Sequence, residues 1–268
     1  MVEIFNDIRK LYRFVGPCPE LTAHIEFYSE TSIAATSQYV NSENFSVKLF
    51  PSYTPTIWIN LGSHYELKNG SRKYSINQKT DVLLLRNQIV ERTNLPSDNI
   101  FTVKFNPGGF EAVFGFSQDK IGAEVINLEE LIKAPLLSCL KSAGSFEDRI
   151  RLLQDFFLHK LKQQKERPHL NFIKKLHHVL ENGTGSLNNC SLAADLNVGD
   201  KTFYRYFNVA IGTNPKTYFS IFRTRRALTD YVANPKGFSV YTYGYYDNSH
   251  FYKDVFKFTG QKLSAFKL

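Results

Sequence analysis

The hydrophobic and polar positions of this chain follow a two-residue period in its first part and a helical period in its second. Phe45–Phe50 alternates apolar and polar side chains and stops at Pro51, and Thr56–Leu61 alternates in the same way. Both runs predict β-strands, and Asp81–Leu85 and Ile100–Phe105 are further candidates. Several short strands at this spacing predict a small sheet, a sandwich or an open barrel.

A tight hairpin is predicted between two of the shorter runs. Tyr65–Lys68 and Ser71–Tyr74 flank the dipeptide Asn69-Gly70. Asn-Gly supplies the two positive φ values of a type I′ turn. The sequence therefore predicts a turn with Asn69 and Gly70 at its two central positions.

A helix with a clear start follows the strands. Ser145 stands three residues before Asp148, the pattern of a capping serine with an acidic group in the first turn. Apolar residues then recur at helical spacing at Ile150, Leu153, Phe156, Phe157 and Leu161. This apolar face either covers the sheet or packs against a second copy of the chain. The polar run 160–167, which ends at Pro168, predicts a linker.

From about residue 170 the pattern is helical throughout. The apolar face of a first helix is formed by Phe172, Ile173, Leu176, Val179 and Leu180. This helix is predicted to end at Asn182-Gly183, a typical C-cap. Pro215 suits the first turn of a long helix, which stops before Asn234-Pro235.

One kind of segment occurs twice in this helical part. Leu192–Phe207 and Phe238–Val255 each show a short helix with a small residue, a tight turn, and a second helix with exposed polar and basic side chains. Two helices joined by a short turn form the unit that inserts a recognition helix into the DNA major groove. Two such units in tandem predict that one chain reads two successive grooves.

The excess positive charge lies in the same part of the chain. Residues 168–268 carry 13 Lys and Arg against 6 Asp and Glu, a net of +7, whereas residues 1–167 carry 20 against 19. A basic region attached to a nearly neutral one is typical of a phosphate-binding module. A solvated basic face without a partner is the alternative, and the repeat argues against it.

Composition excludes several other classes of protein. There is no run of about 18 apolar residues, so no membrane-spanning helix is expected. Met1–Asp7 lacks the basic opening and apolar core of a signal peptide. The three cysteines, Cys18, Cys139 and Cys190, are widely spaced and form neither a disulfide framework nor a metal-binding knuckle. They predict the reduced thiols of a cytoplasmic protein.

Over about 100 residues, the C-terminal part resembles the DNA-binding domain of the AraC/XylS family of bacterial transcription regulators. The match is carried by Leu192-Ala193, Phe203, Arg205, Phe207, Gly212, Pro215, Arg223, Arg226-Ala227, Gly244-Tyr245, Asp247, Ser249-His250-Phe251, Lys253 and Thr259-Gly260. Three positions depart from the family pattern. Gly199 replaces a capping serine, so that Asp200 is expected to take over part of that role; Val240 replaces a small alanine; and Lys262-Leu263 replaces Ser-Pro.

The resemblance implies where the two recognition helices lie and which side chains face outward. The first would run from about Asp200 to Ala210 with Phe203 and Phe207 buried, and the second would span about Asn248–Phe256. The candidate DNA-binding residues are then Lys201, Thr202, Tyr204 and Arg205 in the first helix, and Asn248, Ser249, Tyr252 and Lys253 in the second.

Several of these roles have two interpretations. Arg205 either bonds a guanine through two nitrogens or contacts only the DNA backbone, and Lys201 reaches a base or a phosphate. Asn248 either reads an adenine or caps its helix. By the resemblance, His250 is a packed structural histidine. One of Arg223, Arg225 and Arg226 is expected to pair with an acid such as Asp247 or Asp230, which would hold the two units at a fixed angle.

The N-terminal part resembles a sensory domain found in some members of the same family, through Leu21–Tyr28, Phe50-Pro51 and Phe105–Phe110. This resemblance implies no defined ligand. Aromatic residues such as Trp58 and Tyr65 either line an apolar effector pocket or form the core. We find no nucleophile elbow, phosphate-cradling loop, Cys/His arrangement or closely spaced histidines, and therefore expect no catalytic residue, no metal and no cofactor.

The sequence thus predicts an α+β protein in three parts. Residues 1–140 form a β-rich, cupin-like or open-barrel domain for sensing or dimerisation, 141–167 an amphipathic helix and linker, and 168–268 an all-α DNA-binding domain in which a long helix joins two helix-turn-helix units. The expected function is that of a cytoplasmic bacterial transcription regulator, not an enzyme, which binds specific double-stranded DNA and acts with RNA polymerase. A small-molecule effector and a homodimer are further candidate partners, and no membrane is involved.

Two alternatives remain open at this point. In one, the N-terminal domain is a small-molecule enzyme and the basic domain is its DNA-binding adaptor. A buried cluster of ionisable residues in the N-terminal domain would support that alternative. In the other, the protein is an architectural DNA binder that has the same affinity for every sequence.

Overall fold

The computed structural model describes residues 11–40, 44–165, 167–182 and 189–266, with the side chains of residues 39, 40, 181, 182, 189 and 190 left aside. Met1–Asp7, on which the argument about a signal peptide rests, lies outside these residues. So do Gly183, at the predicted end of a helix, and the side chain of Cys190. Cys18 and Cys139 are both free thiols.

The N-terminal part is a β-rich domain made of two antiparallel sheets that do not close into a barrel. Its strands are β1 (Tyr12–Val15), β2 (Ile25–Thr31), β3 (Phe45–Leu49), β4 (Thr56–Asn60), β5 (Tyr65–Asn69), β6 (Arg72–Ile76), β7 (Val82–Leu84), β8 (Val90–Asn94), β9 (Ile100–Phe105) and β10 (Val125–Asn127). The larger sheet has the order β1-β2-β9-β4-β7-β10, and the smaller has the order β3-β8-β5-β6.

The predicted strands are present, and their burial shows how the two sheets are covered. β4 is buried at every position, although its sequence alternates. Trp58 belongs to the apolar cluster that also holds Val47 and Leu67 of the smaller sheet, whereas Ile57 and Ile59 belong to a second cluster under the helices. Both faces of the larger sheet are therefore buried.

The hairpin exists, but its turn lies one residue later than predicted. Asn69 pairs with Arg72, so the two central residues are Gly70 and Ser71. Only Gly70 has a positive φ, of 61°, which suits the first position of a type II′ turn and not an Asn-Gly type I′ turn. Asn69 remains in the strand because its side chain is buried and its Nδ2 donates to the carbonyl of Ala123 at 3.0 Å.

The helices of the β-rich domain are α1 (Ile33–Val40), α2 (Gly109–Phe114), α3 (Ala134–Ser142) and α4 (Phe146–Gln163). The predicted cap of α4 is confirmed, since the Ser145 side chain accepts from the Asp148 amide at 3.1 Å. Leu153 and Phe157 of α4 are fully buried against the larger sheet. The apolar face of α4 therefore covers the chain's own sheet and is not offered to a second copy.

The first half of the polar run predicted as a linker is helical, because α4 continues to Gln163. The C-terminal helical region then consists of α5 (Pro168–Asn182), α6 (Asn189–Asp195), α7 (Asp200–Ile211), α8 (Pro215–Ala233) and α9 (Asn248–Thr259). As predicted, Pro215 lies in the first turn of the long helix, and Asn214 caps that helix by accepting from the Thr217 amide at 2.9 Å.

A buried carboxylate joins the β-rich domain to the start of the helical region. Glu111 of α2 is 1% exposed and accepts from Arg167 Nη1 at 2.6 Å and from His169 Nε2 at 2.9 Å. Burial alone would raise the pKa of Glu111, but the hydrogen bonds and charges of His169 and Arg167 outweigh it and hold that pKa below its ordinary value.

Glu111→Gln should therefore destabilise the protein at neutral pH and have less effect in acid. A lowered folded-state pKa means that the stabilisation is complete above the ordinary pKa of 4.5 and is lost as the pH falls through the folded value. We expect the free energy of unfolding to fall by roughly 1–3 kcal/mol at neutral pH. Urea unfolding at neutral and acidic pH measures this, with exposed Glu130→Gln as control. A deficit of the same size at both pH values would contradict the assignment.

Candidate nucleic-acid interface

The first helix-turn-helix unit, α6 and α7, folds around small and aromatic residues. Leu192 and Ala193 of α6 are buried against Phe203 and Phe207 of α7. The turn is closed by the Val198 amide, which donates to the carbonyl of Ala193 at 3.0 Å. The first unit thus has the predicted helix–turn–helix arrangement, with Phe203 and Phe207 fully buried as expected.

The outward face of α7 carries the predicted DNA-binding side chains. Lys201, Tyr204 and Arg205 are exposed, and Thr202 is half-buried. Lys201 and Arg205 are four residues apart and therefore share one side of the helix. The Arg205 guanidinium lies 5.1 Å from the centre of the Tyr206 ring. Within the described chain, no ion pair involves Lys201 or Arg205.

The cap of α7 departs from the prediction. Gly199 stands at the N-cap position without a side-chain bond, and Asp200 in the first turn makes none of the hydrogen bonds found at that end. An acidic residue in the first turn still interacts favourably with the positive end of the helix dipole. Asp200 therefore contributes charge, whereas the expected cap bond is missing.

The second unit is less regular than the first. In place of its first helix there is a single 3₁₀ turn, Val240–Tyr243, which ends at Gly244 with φ of 71°. This unit therefore consists of one turn of helix, residues 244–247 and α9. Val240 and Tyr245 are buried and pack with Phe251 and Val255 of α9.

The outward face of α9 carries Asn248, Ser249, Tyr252 and Lys253, all exposed. Asn248 does not cap the helix. Asp247 holds that position, and its side chain accepts from the His250 amide at 2.7 Å. The capping role proposed for Asn248 is therefore wrong, and its amide side chain lies on the exposed first turn.

An ion pair between the long helix and α9 exists as predicted, but its acid is Asp254. Arg223 Nη2 of α8 lies 3.3 Å from Asp254 Oδ2. Asp254 also accepts from the Ser220 hydroxyl at 3.3 Å. The acids that the sequence suggested are engaged elsewhere: Asp247 caps α9, and Asp230 accepts from the Tyr243 hydroxyl.

A second contact fixes α8 against the second unit. The hydroxyl groups of Thr224 and Tyr245 are 2.8 Å apart, and the Arg223 guanidinium lies 4.3 Å from the centre of the Tyr245 ring. Burial is the main reason that the pKa of Tyr245 is raised to about 12, so its hydroxyl stays protonated. His250 stacks edge-on against Tyr245, yet 47% of its side chain is exposed, and it is therefore less packed than expected.

The β-rich domain contacts the C-terminal ends of α7 and α9. Gln118 is fully buried, and its Nε2 donates to the carbonyl of Ile211, the last residue of α7, at 2.8 Å and to the carbonyl of Tyr53 at 2.7 Å. At the end of α9, the Phe258 ring lies 6.2 Å from the Phe50 ring. The first turns of both helices, which carry the predicted contacts, remain exposed.

Two exposed tyrosines beside the second unit were not among the predicted contacts. Tyr246 is 87% exposed and directly precedes the cap of α9, and Tyr241 is 68% exposed. Tyr246 is two residues before Asn248, which makes it a candidate for contacts with sugar or base. The family resemblance offered no signal for them, because neither position belongs to the matched residues.

In the part of the chain that the structure describes, no cluster of His, Cys, Asp and Glu side chains could hold a metal ion. Among the same residues, no helix combines the length and apolar character needed to cross a bilayer.

Asp254→Asn tests the ion pair between α8 and α9. Removing the charge leaves Arg223 without its acid partner, and we expect the free energy of unfolding to fall by roughly 1–3 kcal/mol. Asp247→Asn is the matched control, because asparagine caps a helix about as well as aspartate. Thermal and urea unfolding of the full chain measure both variants. Equal losses for the two would show that the pair with Arg223 contributes nothing specific.

Comparison with known proteins finds similarity among solved structures alone; no protein-family model and no curated protein matches this chain. ToxT from Vibrio cholerae O395, an AraC-family regulator, aligns over 84% of this chain and 93% of its own with 14% identity and a TM-score of 0.49. Wild-type ToxT from strain SCE256, bound to an unsaturated fatty acid, aligns over the same shares with 13% identity and a TM-score of 0.46. The AraC-like transcriptional activator CuxR covers 84% of this chain and 88% of its own, with 13% identity and a TM-score of 0.31. At these values the superpositions carry no argument about function.

Proposed function

We propose that this protein is a sequence-specific DNA-binding transcription regulator of the AraC/XylS type. The observation that carries the proposal is the pair α7 and α9. Each helix buries one face around α8 and presents four polar or basic side chains on its first turns. Both belong to the region with a net charge of +7. This arrangement suits insertion of each helix, N-terminal end first, into a major groove.

In this proposal, the two helices read adjacent grooves on one face of the duplex, about 34 Å apart. Lys201 and Arg205 on α7, and Ser249 and Lys253 on α9, are pairs four residues apart that point to one side of their helices. Thr202, Tyr204, Asn248 and Tyr252 complete the two contact sets. RNA polymerase remains a proposed partner, and so does a second copy of the chain.

The enzyme alternative is weakened by where the buried charges of the β-rich domain lie. Such charges exist: Arg92 lies 3.2 Å from Asp98, and Lys104 lies 3.0 Å from Glu26. The cavity between the sheets, beside Lys104 and Arg86, has a volume of only about 20 Å³. That volume holds about one water molecule, not a substrate. We therefore interpret these ion pairs as part of the core.

The specificity of binding is tested by selection from a random duplex library with the full chain. The full chain is needed because the second unit packs on the β-rich domain. An enriched sequence with two half-sites supports the proposal. Equal recovery of all sequences would support the architectural alternative, and no recovery would exclude DNA binding.

Arg205→Ala distinguishes base reading from backbone contact. If Arg205 bonds a guanine, affinity for the enriched site should fall by roughly 1–3 kcal/mol, with little change on random DNA. An equal loss on every sequence would identify a phosphate contact. Arg151→Ala, which removes the same charge from a side chain of α4 that is 71% exposed, is the control. Fluorescence anisotropy at a stated salt concentration measures the dissociation constants.

The β-rich domain would act in this proposal by holding the recognition helices at a fixed angle. Gln118 and Phe50 contact the last turns of α7 and α9, respectively. A shift of the β-rich domain would therefore change the distance between the first turns of the two helices. An effector that favours one arrangement shifts the population of DNA-binding molecules. We place the boundary between the two parts at residues 164–167.

Gln118→Glu tests this coupling. A carboxylate would face the carbonyls of Ile211 and Tyr53, to which the amide now donates. We expect affinity for DNA carrying both half-sites to fall by roughly 1–3 kcal/mol. Affinity for a single half-site should change less. Gln163→Glu, on the exposed end of α4, is the control. If the affinity for both kinds of DNA falls equally, Gln118 contributes only to the folding of the first unit.

A further inference from the structure

A cleft of about 520 Å³ lies between the smaller sheet and the second recognition helix. The sheet side carries Lys48, Lys68 and Glu91, and the helical side carries Lys257, Phe258 and Ile221. This volume is within the range of small-molecule sites, whereas the cavity of about 20 Å³ beside Lys104 and Arg86 is not. The cleft is therefore large enough to admit a small molecule.

The charges of the cleft come from a row of side chains across three strands. Glu91 of β8 pairs directly with Lys48 of β3 on one side and with Lys68 of β5 on the other. Directly opposed residues have side chains on the same face of the sheet. Their neighbours Val47, Leu67 and Arg92 are buried on the opposite face, so the row lies on the outer surface, toward the helical region.

Lys257 adds a third positive charge from the opposite wall, close to the end of α9. None of the ion pairs among the described residues involves Lys48, Lys68 or Lys257. Among the described residues that line the cleft, Glu91 is the one acid, so that its charged side chains carry a net of +2. Side chains of like charge on the facing walls of a cleft raise the local concentration of ligands of the opposite charge.

The apolar part of the lining limits the kind of anion further. Ile89, which is half-buried, borders the cleft together with Ile221 and Phe258. An inorganic ion would make no apolar contact with this wall. A small organic dianion with an apolar or aromatic body would satisfy both the lysines and the apolar walls.

We propose that this cleft binds a small organic dianion, of which a phosphate monoester with an aromatic body is the simplest example. The inference rests on the proposed function in one respect, because it names the effector class of the regulator. The ligand would bridge the sheet and α9, the helix that carries Asn248, Ser249, Tyr252 and Lys253. Its binding and the binding of DNA would then be coupled, each changing the affinity of the other by the same factor.

The test is isothermal titration of the full chain with phenyl phosphate at low salt. We expect saturable binding at one site that weakens as salt is added. Lys48→Gln and Lys257→Gln should each weaken binding by about three- to fivefold, and the double variant by about tenfold or more. Lys162→Gln, an exposed lysine of α4, is the matched control and should bind as the unmodified chain does. Benzyl alcohol tests the aromatic ring without the phosphate, and inorganic phosphate tests the phosphate without the ring. Both should bind more weakly than phenyl phosphate.

The two lysines lie on different elements, so a folding defect in one variant leaves the other informative. Thermal unfolding without ligand identifies such a defect. Absence of binding to the unmodified chain, or equal binding by the double variant, would overturn the proposal. DNA binding is measured on the same preparation without ligand. A chain that binds DNA but not phenyl phosphate would refute this site and leave the regulator proposal intact, and the reverse result would refute the regulator proposal alone.

Discussion

The second helical unit meets the β-rich domain through an apolar contact at the end of α9. The first helix of this unit is reduced to the single turn Val240–Tyr243, and Phe251 of α9 packs on Tyr231 and Tyr245 of the helical region. Phe258, in the last turn of α9, lies 6.2 Å from Phe50, and both belong to the apolar cluster that also includes the side chains between the two sheets. Because close-packed side chains leave little freedom, this shared cluster sets the position of α9 relative to the sheets. The helical region and the β-rich domain are thus mechanically linked.

The ion pairs inside the β-rich domain differ from the basic side chains at the starts of α7 and α9. Within the β-rich domain, Arg92 and Asp98 are both buried, and the carboxylate compensates the cost of removing the guanidinium from water. On the first turns of α7 and α9 the basic side chains are exposed and make no ion pair with any described residue. The positive ends of the two helix dipoles lie at the same turns. The side of the protein that can meet phosphates is therefore the side that the β-rich domain leaves uncovered.

Most of the local structure could be predicted from the sequence because it depends on short-range interactions. The capping bond of Ser145 and the start of α8 at Pro215 follow from residues within a few turns of one another. The strands β3, β4 and β9 were likewise evident from their apolar patterns. The burial of Phe203 and Phe207 and the eight candidate contact residues came instead from the family resemblance, and each of the eight lies on the first two turns of its helix.

Two of the errors arise where a side chain has a partner that is distant in the sequence. Asn69 lies in the strand and not in the predicted turn because its amide donates to Ala123, and Arg223 pairs with Asp254 because α8 and α9 pack against each other. Gln118 and the lysine-lined cleft could not be foreseen, since each requires elements more than 90 residues apart to meet. The sequence by itself determined most strands and helices and the cap of α4, because these depend on period and neighbouring residues. Only the tertiary structure decided which elements share a core. Which elements pack together depends on contacts between residues that are far apart in the sequence, and no local pattern contains that information.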